Sequence, residues 1–225
     1  MSTGSSADPI DPSAAEFFEA KYSDAPDNDP WNFASSAYEL DRYRRVLSAL
    51  PRGHYRRAFE PGCSVGALSR PLSRRCDHLL AMDFAPTAID VALAAQEELA
   101  RNDDAMSRIE FRVGELPQDL APGDGAFDLI VFAEIGYYFE LEQLDSVAEL
   151  LVSHLVAGGD LVAAHWTGHS EDHRLSGEQT HDRLALTLSA AGCVPLADRR
   201  RYPQSAGDDP SPDDDGFIID TWRFP

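Results

Sequence analysis

Ala58-Phe59-Glu60-Pro61-Gly62-Cys63-Ser64-Val65-Gly66 reads as the end of a buried strand, a glycine turn and the start of a helix. An acid closes the strand, and glycines at 62 and 66 let main chain come close to a bound molecule. In an open parallel sheet, ligands sit at the carboxyl ends of the strands, where the strand order reverses. The stretch is not the dinucleotide pattern G-x-G-x-x-G, because Ser64 stands at the second glycine and Glu60 precedes the loop. An E-x-G-x-x-x-G turn with Asp83 closing the next strand points instead to a nucleoside ligand without a pyrophosphate. S-adenosylmethionine is the commonest ligand of that kind.

Outward from this turn the sequence alternates between strand and helix patterns. Tyr55 to Glu60 is the first strand and Ala67 to Arg75 a helix. His78 to Asp83 is a short apolar strand, and Pro86 opens a helix over Thr87 to Arg101. Ile109 to Val113 alternates as a strand, and Phe127 to Ala133 is a continuous buried one. Leu141 to Leu155 is a helix capped by Gly158-Gly159, followed by a strand over Asp160 to Trp166. A helix over Glu178 to Ala191 and two strands near Val194–Tyr202 and Gly216–Phe224 complete the set. The pattern predicts one doubly wound α/β domain over residues 51–225, with a mostly parallel seven-stranded sheet and a terminal hairpin.

Upstream, residues 1–12 read as a frayed tail. Two helices are expected in 13–50, one opened by Ser13 and Glu16 as a capping box, the other running from about Ser35 to Leu50. They have no place in the sheet, so Trp31, Phe33, Tyr38 and Tyr43 either close over a ligand as a lid or form a packed cap. The acidic loop at 203–216 is expected to be solvated.

At 225 residues with 43% hydrophobic residues, the chain suits a soluble globular domain. No apolar run approaches the roughly 20 residues of a membrane helix, and the start lacks the basic and apolar regions of a secretory signal. A cytoplasmic protein without membrane contact is the expectation. The net charge of -20 argues against nucleic acid, whose affinity depends on cations set against phosphates. It suits a neutral or cationic small molecule, or serves solubility alone. Cys63, Cys76 and Cys193 are too scattered for a disulfide framework or a zinc pair.

Several motifs together resemble the class I S-adenosylmethionine-dependent methyltransferases, and among them the nodulation protein S group. They begin with Phe17-Phe18-x-x-Lys21-Tyr22, Asp29-Pro30-Trp31-x-Phe33 and Tyr38-Glu39-x-x-Arg42-Tyr43, and continue with the 60–66 turn. Arg75-Cys76-Asp77-x-Leu79-Leu80-Ala81-x-Asp83, Phe127-Asp128-Leu129-Ile130-Val131-x-x-Glu134 and Tyr137-Tyr138 extend them. The resemblance runs from about Phe17 to Pro225. The best-known member of the group methylates the free amine of a chito-oligosaccharide. The resemblance therefore implies the class I fold, S-adenosylmethionine as cofactor, and a small acceptor such as the amine of an amino sugar. Ser64 departs from the middle glycine of the wider class.

Candidate site residues follow. Glu60 can attract a methionine ammonium, and Gly62, Cys63, Ser64 and Gly66 bring main chain to the ligand. Asp83 can accept both ribose hydroxyls or cap the next helix. Phe84 would pack on the adenine and Trp31 would cover the cofactor. Glu115 either meets the adenine amine, as an acid does in the family, or is a surface acid. After the fourth strand, Glu134, Tyr137 and Tyr138 offer an acid and aromatic faces to a cationic donor and acceptor, the tyrosines having core packing as their alternative. His165 at a strand end and His181 in the last helix are candidate bases or structural histidines. His165, His169 and His173 recur every four residues but lie at a strand end and in a loop, so no metal is expected. An oxygen or carbon acceptor on the same fold, or a non-catalytic partner subunit that binds the cofactor, are the alternatives. The oligomeric state is open.

Overall fold

The computed structural model describes residues 15–203 and 215–225. The expected tail at 1–12, the Ser13 cap and most of the acidic loop at 203–216 lie outside them. Strands β1 (Tyr55–Pro61), β2 (Cys76–Asp83), β3 (Ile109–Val113), β4 (Phe127–Ala133), β5 (Leu155–Trp166), β6 (Val194–Pro195), β7 (Arg200–Pro203) and β8 (Gly216–Arg223) form one sheet. Its order is β3-β2-β1-β4-β5-β8-β6, with β7 also paired to β8. The first five are parallel, and β8 runs antiparallel to β5. The order reverses between β1 and β4, which is where such a sheet opens a crevice.

Neighbouring residues in each central strand point to opposite faces, and that alternation sorts the core. Ala58, Leu79, Leu129 and Val162 pack under α2 (Ala37–Ala49), α3 (Ser69–Leu72) and α4 (Pro86–Leu99). Phe59, Leu80, Ile130 and Leu161 pack under α5 (Leu141–Ser153) and α6 (Gly177–Ala190). Both faces are covered, so the strands can be apolar throughout. The doubly wound, mostly parallel architecture is the one the sequence predicts.

Three local expectations are corrected. The helix expected over 67–75 is the short α3 followed by a 3-10 turn at Ser73–Arg75, since Pro71 has no N–H and its ring crowds the carbonyl at Ala67. Gly158-Gly159 does not cap α5. The pair lies inside β5, where the register against β4 shifts between Phe127 and Leu129, and the Gly158 N–H donates to Phe224 O at 2.8 Å. The strand expected over 194–202 is broken into β6 and β7, which share one edge of β8. Pro195 cannot donate to a ladder.

Before the sheet, α1 (Ala15–Asp24) buries Phe18 and Tyr22 from one face. Ser36 caps α2 by accepting the Glu39 N–H, which starts that helix at 37. Tyr22 packs in a third cluster with Val65, Ala85 and Ala88, beside Trp31, Phe33 and Phe84. That cluster seats α1 above the carboxyl ends of β1 and β2. No helix among the described residues is long and apolar enough to cross a membrane.

Candidate active site

The turn after β1 is pinned to β2 by main chain. Both Gly62 N–H (2.7 Å) and Cys63 N–H (3.0 Å) donate to Met82 O. Gly62 has φ +71° and a Cβ there would stand 2.2 Å from Ile135 Cγ2, so only glycine fits. Ser64 also sits in the left-handed region, at φ +50°, which disfavours an L-residue by about 1–2 kcal/mol. Two contacts hold it there. Its N–H donates to Asp83 Oδ2 at 2.9 Å, and its Oγ accepts the Tyr22 hydroxyl at 2.7 Å. Asp83 Oδ1 accepts the Ala85 N–H at 3.0 Å, at the entry to α4. The carboxylate therefore has a structural role while remaining on the wall of a cavity. Burial pushes its pKa up to about 6, against the pull of the Ala85 and Ser64 N–H groups.

That cavity, about 440 Å³ in volume, runs along the carboxyl ends of β2, β1 and β4. At one end lie Asp83, Phe84, Gly114 and Leu116; at the other Glu134, Tyr137, Trp166 and His173. Phe18, Tyr22 and Trp31 line it from the N-terminal segment. Phe18 packs edge-on against Phe84 (5.4 Å between centroids) and Tyr138 (4.9 Å). Lys21 pairs with Asp172 and Glu19 accepts the Thr87 N–H, tying α1 to both sides of the opening.

Of the predicted residues, Trp31, Gly62, Ser64, Asp83, Phe84, Glu115, Glu134 and Tyr137 line this cavity. Glu60 and Cys63 instead line an adjoining recess of about 30 Å³ that shares Gly62, Ser64 and Glu134 with it. Glu60 Oε2 is buried without a hydrogen-bond partner among the described residues. Burial raises that carboxyl to about 8, with the neighbouring Ser69 hydroxyl and Arg70 opposing the shift and Asp83 adding to it. Gly66 reaches neither space. At φ +73° it turns the chain beneath the Phe111 ring, 2.8 Å from where a Cβ would be.

Glu134 is a hub. Its φ is +60°, strain that persists only where surroundings over-determine it. Oε2 takes the Arg42 guanidinium (2.7 Å) and the Tyr137 hydroxyl (2.7 Å), and Oε1 accepts the Trp166 N–H (2.8 Å). Arg42 also pairs with Glu39. Burial opposes the Arg42 charge, but Glu134 and Glu39 more than offset it. Burial lifts Glu39 to about 7, with Arg42 opposing. Arg42 and Glu39 were not singled out as site residues from the sequence. The available signal was a charged pair at i, i+3 beside the apolar stripe of α2.

His165 and His181, the expected bases, lie outside the cavity and are fully buried. His165 Nε2 accepts the Gly136 N–H at 2.9 Å, which fixes its proton on Nδ1. Nδ1–H then donates to His181 Nε2 (3.1 Å), and His181 Nδ1–H to Asp220 Oδ2 (2.9 Å), which also accepts from Arg199 (2.9 Å). Burial holds the His165 pKa well below its usual value, with His181 adding to the shift. A neutral ring with both nitrogens engaged has no lone pair for a substrate. These histidines fasten the turn after β4 from below. Among the described residues, no three His, Cys, Asp or Glu side chains gather as metal ligands would.

The family model described as nodulation protein S matches residues 16–170. The nodulation protein S of Rhizobium tropici is 30% identical over 137 residues, covering 60% of this chain and 54% of that protein. That of Sinorhizobium fredii is 32% identical over 136 residues, covering 60% and 59%. The chain thus spans little more than half the length of these relatives. The crystal structure of the N-methyltransferase NodS from Bradyrhizobium japonicum with S-adenosyl-L-homocysteine superposes with a TM-score of 0.71 at 23% identity, covering 94% of this chain and 98% of that one. That likeness is one of fold.

Proposed function

Because the chain belongs to the nodulation protein S family, we propose that it is an S-adenosylmethionine-dependent methyltransferase whose acceptor is the amine of an amino sugar or a similar small metabolite. One observation carries the reading: a single cavity joins the end of β2 at Asp83, the Gly62–Ser64 turn and the end of β4 at Glu134. Its β2 end suits a nucleoside, with Asp83 for the ribose hydroxyls and Phe84, Glu115 and Leu116 around the base. Gly62 admits main chain to the ligand, and Glu60, in the adjoining recess that shares Gly62 and Ser64 with the cavity, is the acid nearest to a methionine ammonium placed at that turn. The residues present therefore fit the cofactor that the family implies.

Charge supports the same assignment. Among the described residues the cavity is lined by the carboxylates Glu39, Asp83, Glu115, Glu134 and Asp172, against Lys21 and Arg42. Both cations are already paired with acids. Tyr137, Tyr138 and Trp166 add aromatic faces, to which a cation is attracted. A cationic donor and an acceptor that arrives as an ammonium suit such a wall.

Bound there, the donor supplies an electrophilic methyl group on a sulfonium, ready for in-line displacement. The chain's own share is placement, which accounts for much of the rate in such a reaction. Glu134, locked by Arg42, Tyr137 and Trp166, fixes the wall of the acceptor half rather than holding the amine. Phe18 and Trp31 exclude water from above. An amine free base carries its own lone pair, so the engagement of His165 and His181 does not impede attack, whereas an oxygen nucleophile would need a base other than these two.

Transfer of a labelled methyl group to glucosamine and to N-acetylglucosamine tests the proposal. Label on glucosamine alone is expected. Equal labelling of both would move the acceptor to oxygen, and labelling of neither would leave an enzyme for another acceptor or a cofactor-binding partner subunit.

A further inference from the structure

Lys21 and Asp172 both line the cavity and pair with each other across its opening. Lys21 leaves α1 on the face that carries Phe17 and Phe18, four and three residues before it. Its ammonium lies over the rings of Phe17 (4.9 Å to the centroid), Phe18 (5.7 Å) and Trp31 (5.6 Å). Aromatic faces attract a cation, and a carboxylate beside them adds a charge-assisted hydrogen bond. The wall of the cavity thus already holds an ammonium, and that ammonium is the chain's own.

The walls of this cage are fixed. Phe18 packs against Phe84 and Tyr138, and Trp31 is stacked on Phe33 at 5.3 Å and 18°. Asp172 Oδ1 accepts the Ser170 hydroxyl. The occupant is held less firmly, since the Lys21 side chain is 33% exposed and Asp172 14%, and its head rides on a flexible four-carbon stem. An ion pair that solvent reaches contributes little, so one ammonium can replace another on Asp172 at small cost. Glu134 allows no such exchange, because its oxygens are taken by Arg42, Tyr137 and the Trp166 N–H. Burial opposes the Asp172 charge, but Lys21 and the Ser170 hydroxyl more than offset it and hold the carboxyl below its usual range.

We propose that Asp172, with the rings of Phe18 and Trp31, is the subsite for the acceptor's ammonium, and that Lys21 is a built-in competitor which the acceptor displaces. The inference rests on the amine reading above and adds the residue that recognises that amine. Displacement leaves α1 seated, since Tyr22 still donates to Ser64 Oγ and Glu19 still accepts the Thr87 N–H. The freed Lys21 head turns to solvent while its stem stays on the rings. Loss of a proton to water does not release the acceptor. A free amine still donates an N–H to the carboxylate and keeps its lone pair for the methyl group.

Three variants of the full chain test the exchange. Calorimetry reads S-adenosylhomocysteine binding, and then glucosamine binding to the S-adenosylhomocysteine-loaded protein. All three should bind S-adenosylhomocysteine as the parent does. Asp172→Asn keeps the shape and removes the charge, and should weaken glucosamine about 10-fold, the low end for a hydrogen bond to a charged group. Lys21→Met keeps an unbranched apolar stem against the rings and removes the competitor. Glucosamine should then bind about 2–5-fold more tightly, the strength of a solvent-reached ion pair that no longer has to be broken. Lys21→Arg supplies a competitor with a two-pronged hold on the carboxylate and should weaken glucosamine. A pair that only ties α1 down predicts otherwise: Lys21→Met and Asp172→Asn would shift glucosamine in the same direction, and Lys21→Arg would match the parent. Either result, or loss of S-adenosylhomocysteine binding in Lys21→Met, would overturn the assignment, and the two Lys21 variants decide it alone should Asp172→Asn not fold. A parent protein that neither binds nor methylates glucosamine would overturn the amine reading itself, and this inference with it.

Discussion

At the scale of single residues, the site stores protons where a cation is expected to sit. Glu60 is raised to about 8 and Asp83 to about 6, burial being the chief cause in both. Since these folded-state values lie above the ordinary carboxylate range, the neutral acids favour the ligand-free fold at low pH. That contribution is lost as pH rises through each value. A cationic ligand beside Glu60 favours its ionised form, so binding at pH 7 should release a proton. Affinity should then strengthen between pH 6 and 8, by at most about 1.4 kcal/mol per pH unit for each proton released. Calorimetry of S-adenosylmethionine in two buffers of different ionisation enthalpy measures the release, and Glu60→Gln should abolish most of it. Proton-neutral binding in the parent protein would place the ammonium elsewhere.

At the scale of elements, the turn after β4 is a wedge with no slack. A Cβ on Gly136 would lie 2.5 Å from Thr180 Cγ2 and 2.7 Å from His165 Nε2. Gly136→Ala should therefore be destabilising by about 1–3 kcal/mol, as overpacking generally is, lowering Tm by about 2–4 °C per kcal/mol for a domain of this size. Thermal melting checks the first effect. A fall in methyl transfer larger than the lost folded fraction would show that the turn's position matters to the reaction. The same turn shows what a sequence can reveal. Phe127 to Ala133 announces a buried strand by its apolar run from Leu129 to Ala133, and the glycine spacing at 62 and 66 announces the turn after β1. That Glu134 would face the cavity followed from its place after a strand. That its oxygens would be taken by Arg42, Tyr137 and Trp166 did not, since those partners come from α2, the turn itself and β5. His165 looked like a base for the same reason. A histidine at a strand end lies one residue from the crevice, and the pleat decides whether it points in or down. Asp172 sits in a loop without periodicity, so only the folded chain shows it paired with Lys21.

At the scale of the molecule, the fold places a nucleoside-sized cleft at the switch point of a sheet whose two faces are both covered. The N-terminal helix is tied over that cleft by Lys21–Asp172 and by Tyr22 on Ser64. The chain carries a net charge of -20, and the cleft shares its sign. The central claim is that this cleft binds a sulfonium nucleoside through the acid that closes β2. Titration calorimetry of the parent protein and of Asp83→Asn with S-adenosylmethionine, with NAD as the control, tests it most directly. The account predicts one S-adenosylmethionine bound per chain, no heat from NAD, and affinity weaker by about 1.5–3 kcal/mol in a folded Asp83→Asn, the scale of hydrogen bonds to a charged group. Unchanged affinity in that variant, or NAD bound as well as S-adenosylmethionine, would contradict it.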